Sequence, residues 1–251
     1  MINKVLKLTK LCANLILENG GETYRAEDCV MHLCRSLGFE DFDVSATPTG
    51  VMISVCDSSG VYHSVIGRVL SRTVNLTKID TVNSISRGII SGNITVDDGI
   101  AGLEALTKPE KSKWFFPIFP GLSSGFFTAL FGGSIFDFGA ALFCGVTVSY
   151  ITRLLFRGNN MHSFFNNTIS GMIITLFALI SARIFGMGSA DKIILGSMMP
   201  LFPGLLMVNA IRDSISGDLL SGGARALESL ISAASLAIGA AVILNLWSII
   251  L

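Results

Sequence analysis

The feature that most constrains this chain is a run of five apolar stretches in its second half, at about 115–134, 138–157, 164–185, 190–211 and 228–250, joined by short links. Each is close to the ~20 residues that a helix needs to cross a hydrocarbon core of ~30 Å. Buried core helices can account for one or two such runs. Five in succession predict an integral membrane protein.

Charge is divided accordingly. The stretch 1–113 holds 12 of the 18 Lys/Arg and 13 of the 18 Asp/Glu; the stretch 114–251 holds 6 and 5. This split predicts a boundary near Lys113: a cytoplasmic α+β domain over 1–113, then a transmembrane bundle of about five helices over 114–251. Lys108, Lys111 and Lys113, Arg153 and Arg157, and Arg212 and Arg225 fall on one side if five helices alternate. Only Arg183 and Lys192 fall on the other. The positive-inside rule then places the N-terminus in the cytoplasm and the C-terminus outside. Five cysteines without framework spacing fit a reducing compartment.

Within 1–113, Leu6, Ala13, Ile16 and Leu17 recur at helical spacing and predict a helix over 3–18, stopped by Gly20-Gly21. Thr23 reads as the cap of a second helix over 24–37, with Glu27 and Asp28 in its first turn and Gly38 at its end. Val51, Ile53 and Val55 alternate with Met52, Ser54 and Cys56 and predict a strand. Two more strands are expected over 61–66 and 73–79. Helices are expected over 82–91 and, behind Thr95, over 96–107.

Four of the six prolines fall in two copies of one pattern: Pro117-Ile118-Phe119-Pro120-Gly121-Leu122 and Pro200-Leu201-Phe202-Pro203-Gly204-Leu205. Proline in a helix interior removes a hydrogen bond, and within a bilayer the freed carbonyl needs a protein or water partner. Paired Pro/Gly interruptions point to a transporter binding site, here Pro117, Pro120, Gly121, Pro200, Pro203 and Gly204. Under the five-helix topology the copies run in opposite directions and read as an inverted repeat. Polar groups in apolar runs add Asn209, Arg212 and Asp213, with Asn166, Asn167 and Ser170 as weaker candidates. Asp137 is expected in a solvated turn. Ser232, Ser235, Gly239 and Ala240 read as a helix-packing surface.

Several chemistries find no support. There is no basic tract for nucleic acid and no GxxxxGK[ST] for ATP. There is no HExxH, and the GxSxG spacing occurs once, at Gly121-Leu122-Ser123-Ser124-Gly125 inside an apolar stretch with no nearby histidine or aspartate, so an enzyme is not expected. Cys29, His32 and Cys34 lack a second ligand pair, so neither a metal nor another cofactor is expected.

Two stretches together resemble the threonine/serine exporter (ThrE-like) family. One is Gly20-Gly21-Glu22-Thr23-Tyr24-Arg25-Ala26-Glu27-Asp28. The other is Pro203-Gly204 with Asn209-Ala210-Ile211-Arg212-Asp213, Gly217-Asp218 and Gly222 through Arg225. The chain is similar to the larger, N-terminal-type subunit of the split, two-component succinate exporters of enteric bacteria. The resemblance implies export of a small carboxylate, succinate or a related C4-dicarboxylate, with threonine or serine as the alternative. It also implies a second small membrane subunit as partner, beside the bilayer itself, and leaves room for a higher oligomer. It marks Gly21, Glu22, Arg25, Glu27 and Asp28 as a signature of the cytoplasmic part. A membrane-anchored ligand sensor or regulator is the reading from another class, and the number of apolar stretches with Pro/Gly breaks speaks against it.

Overall fold

A computed structural model describes residues 2–108, 116–155, 163–185 and 188–250. Lys111, Lys113 and Arg157, used above for the boundary and the topology, lie outside the described residues. The described chain contains ten α-helices, one short 3-10 turn and a three-stranded sheet. It is divided into two compact units, each made of discontinuous chain: residues 1–110 with 205–227, and residues 111–204 with 228–251.

The expectation of an α+β domain followed by about five spanning helices is not met. The described chain is mostly helical with one small sheet, and among the described residues three helices are long and apolar enough to cross a membrane, or four if an interrupted pair counts as one. The three are Ile135–Leu155, Ser163–Ile184 and Leu219–Ile249; the pair is Ala190–Leu201 with Gly204–Ile215. The first apolar stretch yields a helix of only 13 residues, Ile118–Leu130. At 1.5 Å per residue it is about 20 Å long, well short of the hydrocarbon core. Hydropathy sees the apolar run but not the proline that starts the helix late or the glycine that stops it at Gly132 (φ +77°).

The first unit is built on α1 (Ile2–Glu18), whose Val5, Leu8, Cys12, Leu15 and Ile16 are buried at helical spacing. Gly20 (φ +89°) ends it: Gly21 N donates to Ile16 O at 2.8 Å and Gly20 N to Leu17 O at 3.4 Å. This is the paired carbonyl capping that a left-handed glycine allows. Helix α2 (Thr23–Ser36) follows and buries Ala26, Val30 and Leu33.

The sheet is an antiparallel meander of β1 (Phe42–Thr47), β2 (Gly50–Cys56) and β3 (Tyr62–Arg68), in that order, with Val44 opposite Ile53 and Ile53 opposite Val65. Val51, Ile53 and Val55 face the core with α1, while Met52 and Ile66 on the other face are exposed. There are three strands, but they are not all the expected ones. Residues 42–47 form an unforeseen edge strand, and the expected strand at 73–79 is the start of a helix. There Asn75 Oδ1 accepts from Lys78 N at 3.1 Å and caps α3 (Leu76–Ile90). The cap outweighs the short alternation of Val74 and Leu76. Helix α4 (Val96–Thr107) starts on Thr95, whose hydroxyl accepts from Asp98 N at 3.1 Å.

The second unit holds α5 (Ile118–Leu130), α6 (Ile135–Leu155), α7 (Ser163–Phe185) and α8 (Ala190–Met198), which runs into a 3-10 turn at Met199–Leu201. Many large apolar side chains here stay exposed, Phe126, Leu130, Leu154 and Ile184 among them. Such an outer surface belongs in lipid. Small residues allow the helices to approach closely. A Cβ on Gly121 would meet Leu142 O at 2.7 Å, and one on Gly145 would meet Pro120 O at 3.0 Å. A Cβ on Gly239 would run into the backbone of α7 at Thr168.

Asp137 is not in a solvated turn. It is buried at the start of α6, where Ser134 N (2.7 Å), Ser134 Oγ (2.9 Å) and Ser189 N (2.8 Å) donate to its carboxylate. Asp137 N returns a bond to Ser134 Oγ at 3.2 Å, which makes a reciprocal capping box. The chain then continues through α9 (Gly204–Ile215) and α10 (Leu219–Ile250).

Candidate functional site

The two signature stretches, far apart in the sequence, meet within the first unit. The loop between α1 and α2 offers the carbonyls of Gly20 and Gly21, because the left-handed turn at Gly20 directs them away from the helix. Asn209 Nδ2, on α9, donates to Gly20 O at 2.9 Å, and Arg225 Nη2, on α10, donates to Gly21 O at 2.8 Å. Both side chains are buried. One turn beyond Asn209, Asp213 is fully buried, with Arg225 Nε 3.0 Å from its Oδ2. This contact is ionic: the N–H is not aligned on the oxygen as a hydrogen bond would require.

The α9–α10 corner that sets this geometry follows from its sequence. Gly217 (φ +93°) closes α9, with Gly217 N on Ser214 O at 3.2 Å and Asp218 N on Asp213 O at 2.9 Å. Asp218 then caps α10 by accepting from Ser221 N at 3.0 Å. Gly222 lets α10 lie against α9, since a Cβ there would meet Ala210 O at 2.8 Å and Ser214 N at 3.0 Å.

A second layer of charge surrounds this core. Arg212 Nη1 pairs with Glu22 Oε1 at 2.5 Å, and Arg25 Nη1 lies 3.4 Å from Glu22 Oε2. Adjacent on α9, Arg212 and Asp213 therefore face different partners. Burial acts to raise the pKa of Glu22, but a loop N–H and the two guanidinium groups outweigh it and hold the carboxyl below its ordinary range. Thr23 does not cap α2 with its side chain: Glu22 occupies the cap position, and Thr23 Oγ1 donates to Asp218 Oδ2 at 3.1 Å. The cluster holds three carboxylates (Glu22, Asp213, Asp218) and three guanidinium groups (Arg25, Arg212, Arg225). The Glu22 side chain is 6% exposed while that of Arg212 is 56% exposed, so Arg212 keeps an open side toward solvent.

The remaining candidates lie apart from this cluster. Glu27 turns to the sheet, accepting from Ala46 N at 2.7 Å, and Asp28 is exposed on α2. Pro117 is the cap residue of α5, Pro120 its third residue and Gly121 its contact with α6. Pro200 sits in the 3-10 turn, Pro203 follows the extended Phe202 (φ −66°, ψ 134°), and Gly204 opens α9 with space around its Cα. Asn167 donates to Ser232 Oγ at 2.6 Å, a contact between α7 and α10, and Ser170 Oγ donates to Asn166 O at 2.7 Å within α7. Among the described residues no three His, Cys, Asp or Glu could hold a metal ion.

Arg225, Thr23 and Asp218 are central to the cluster yet are not among the candidate site residues drawn from the sequence. Arg225 reads as a loop charge because hydropathy starts the last span at 228, whereas α10 starts at Leu219. The Asp218-x-x-Ser221 spacing is the cap signal that places Arg225 inside the helix.

A family model described as "Putative threonine/serine exporter" matches residues 7–247. A "Probable succinate transporter subunit YjjP" of Klebsiella aerogenes is 24% identical over 250 residues, spanning 98% of this chain and 95% of that protein. Its namesake in Escherichia coli K12 is 22% identical over 257 residues, with the same coverage. A "Probable threonine/serine exporter" of Mycobacterium tuberculosis is 24% identical over 251 residues, spanning 94% of this chain and 45% of that protein. No solved structure matches. With the family model spanning nearly all of a chain rich in apolar helices, and with both signature stretches joined in one buried cluster, the chain belongs to the ThrE family of membrane transporters.

Proposed function

We propose that this protein is a subunit of a secondary transporter in the bacterial inner membrane, and that it exports a small carboxylate, succinate or a related C4-dicarboxylate, together with a second small membrane subunit. The observation that carries the reading is similarity along the whole length of the relatives named as succinate transporter subunits, 95% of which this chain covers. The chemistry of the cluster supports it. Arg212 is half in solvent and already holds one carboxylate, and a guanidinium fork pairs with carboxylates in two-pronged fashion. A substrate carboxylate that displaces Glu22 from Arg212 would loosen the loop of Gly20–Thr23 from α9. The interruption at Phe202-Pro203, just before α9, supplies the backbone break around which that helix can respond.

The test is export of labelled succinate and labelled threonine from cells that lack their own exporters, with this chain expressed alone and with a small membrane subunit of the kind found in split family members. Succinate export that needs both chains is expected. Threonine export in its place would move the substrate to the alternative, and export of neither would overturn the reading. Single replacements Pro203→Ala, Asn209→Ala and Arg212→Gln are expected to lower export. Normal export in all three would remove the site from it.

A further inference from the structure

Helices α2 and α3 border a cavity of about 470 Å³ in the first unit, within the size range of small-ligand sites. Its lining is polar where two packed helices would ordinarily present apolar side chains. Arg25 and His32 of α2 face it, as do Ser86 and Arg87 of α3. Arg87 uses only its Nε locally, on Asn83 O at 3.3 Å, and among the described residues it has no carboxylate partner. His32 Nδ1 donates to Asp28 O at 2.7 Å, which fixes the ring beside the cavity. Asp28 is the lone acid in the lining, so the two arginines leave a net positive charge of one. A net positive charge presented by two guanidinium forks suits a small anion such as a carboxylate.

Arg25 belongs to two sites at once. It lines this cavity, and its Nη1 is also 3.4 Å from Glu22 Oε2, at the long end for an ion pair. Glu22 in turn holds Arg212 through its other oxygen. We propose that the α2–α3 cavity is a regulatory site for a small carboxylate metabolite, gripped by Arg87 and Arg25, and that its occupancy draws Arg25 away from Glu22 and so changes the hold of the α1–α2 loop on α9. The binding site stands independently of the export reading; only its regulatory consequence rests on that reading.

Cys29, which also lines the cavity, gives a direct readout. Its thiol is held below its ordinary pKa, chiefly through the contact with Cys12, which favours the thiolate that a maleimide attacks. With the purified full chain in detergent and peptide-level mass spectrometry, succinate is expected to slow labelling of Cys29 several-fold, and inorganic phosphate at equal concentration to leave it unchanged. Arg87→Gln, at an exposed position, is expected to weaken that protection about tenfold, the scale of one charge-assisted hydrogen bond. Glu22→Gln, which removes the competitor for Arg25, is expected to strengthen it.

Labelling indifferent to succinate, or protection unaltered by Arg87→Gln, would overturn the site. Protection by phosphate as strong as by succinate would overturn its carboxylate class. Protection unaltered by Glu22→Gln would overturn the coupling. Protection in a chain that exports no succinate even together with a small membrane subunit would leave this site standing and sink the export reading instead.

Discussion

The two Pro-x-Phe-Pro-Gly-Leu segments share five of six residues and fold differently. In the first, Pro117 is the cap of α5 and Pro120 its third residue, so both missing N–H groups are among those that no helix start can pair. The helix runs on unbroken, and Gly121 packs against α6. In the second, α8 precedes the segment. Pro200 arrives where a helix would need its N–H for the carbonyl of Gly196, Phe202 is forced extended ahead of Pro203, and the helix restarts only at Gly204. The same prolines thus start one helix and end another. The two segments also differ in what holds the helix that follows: backbone-close packing for α5, buried charge for α9.

That contrast can be broken most severely at the charge. Asp213→Ala would leave Arg225 buried without its ion-pair partner, at a cost of about 3–5 kcal/mol. A thermal unfolding series in detergent should show a large loss of midpoint, and a midpoint equal to that of the parent protein would contradict the role given to this pair.

A smaller effect is expected at the matched glycines. Gly121→Ala places a Cβ against Val146 and 2.7 Å from Leu142 O and should cost about 1–3 kcal/mol. Gly204→Ala meets nothing within 4 Å and should be close to neutral, about ±0.5 kcal/mol. Equal penalties in the two variants would show that the segments are not held differently.

The mildest test is by pH. The Glu22 carboxyl has a folded pKa below its unfolded value of about 4.3, so its stabilising contribution is fully present above that value and is lost as pH falls through the folded pKa. The difference in unfolding midpoint between the parent protein and Glu22→Gln should be full at neutral pH and close below the ordinary carboxyl range. A gap that persists in acid would detach Glu22 from its arginines.

Much of the first unit is legible in the sequence because its signals are local. The period of α1, the alternation of β2 and the cap at Thr95 each lie close along the chain to what they specify. The edge strand β1 carries the same kind of local signal, since Phe42, Val44 and Ala46 alternate with Asp43, Ser45 and Thr47, although it is not among the expected strands. The membrane half is misread because averaged hydropathy gives length but is blind to the prolines and caps that divide an apolar run. The cluster is half legible. Composition and resemblance point to Glu22, Arg25, Asn209, Arg212 and Asp213. That Arg225 reaches the Gly21 carbonyl depends on where α10 starts and on a pairing between opposite ends of the chain, which no local pattern encodes.

The discontinuity of the first unit has a consequence for the making of the protein. Its opening stretch, up to Glu110, leaves the ribosome first, but the α9–α10 corner that covers Gly20–Thr23 is completed only once Leu227 has been synthesised, after α5 to α8. Until then Glu22 and Thr23 have neither Arg212 nor Asp218, and the carbonyls of Gly20 and Gly21 wait for Asn209 and Arg225. Closing a loop of that length costs entropy before the contacts it brings together can repay it. A nascent chain that stalls before Leu227 therefore keeps this charged loop uncovered.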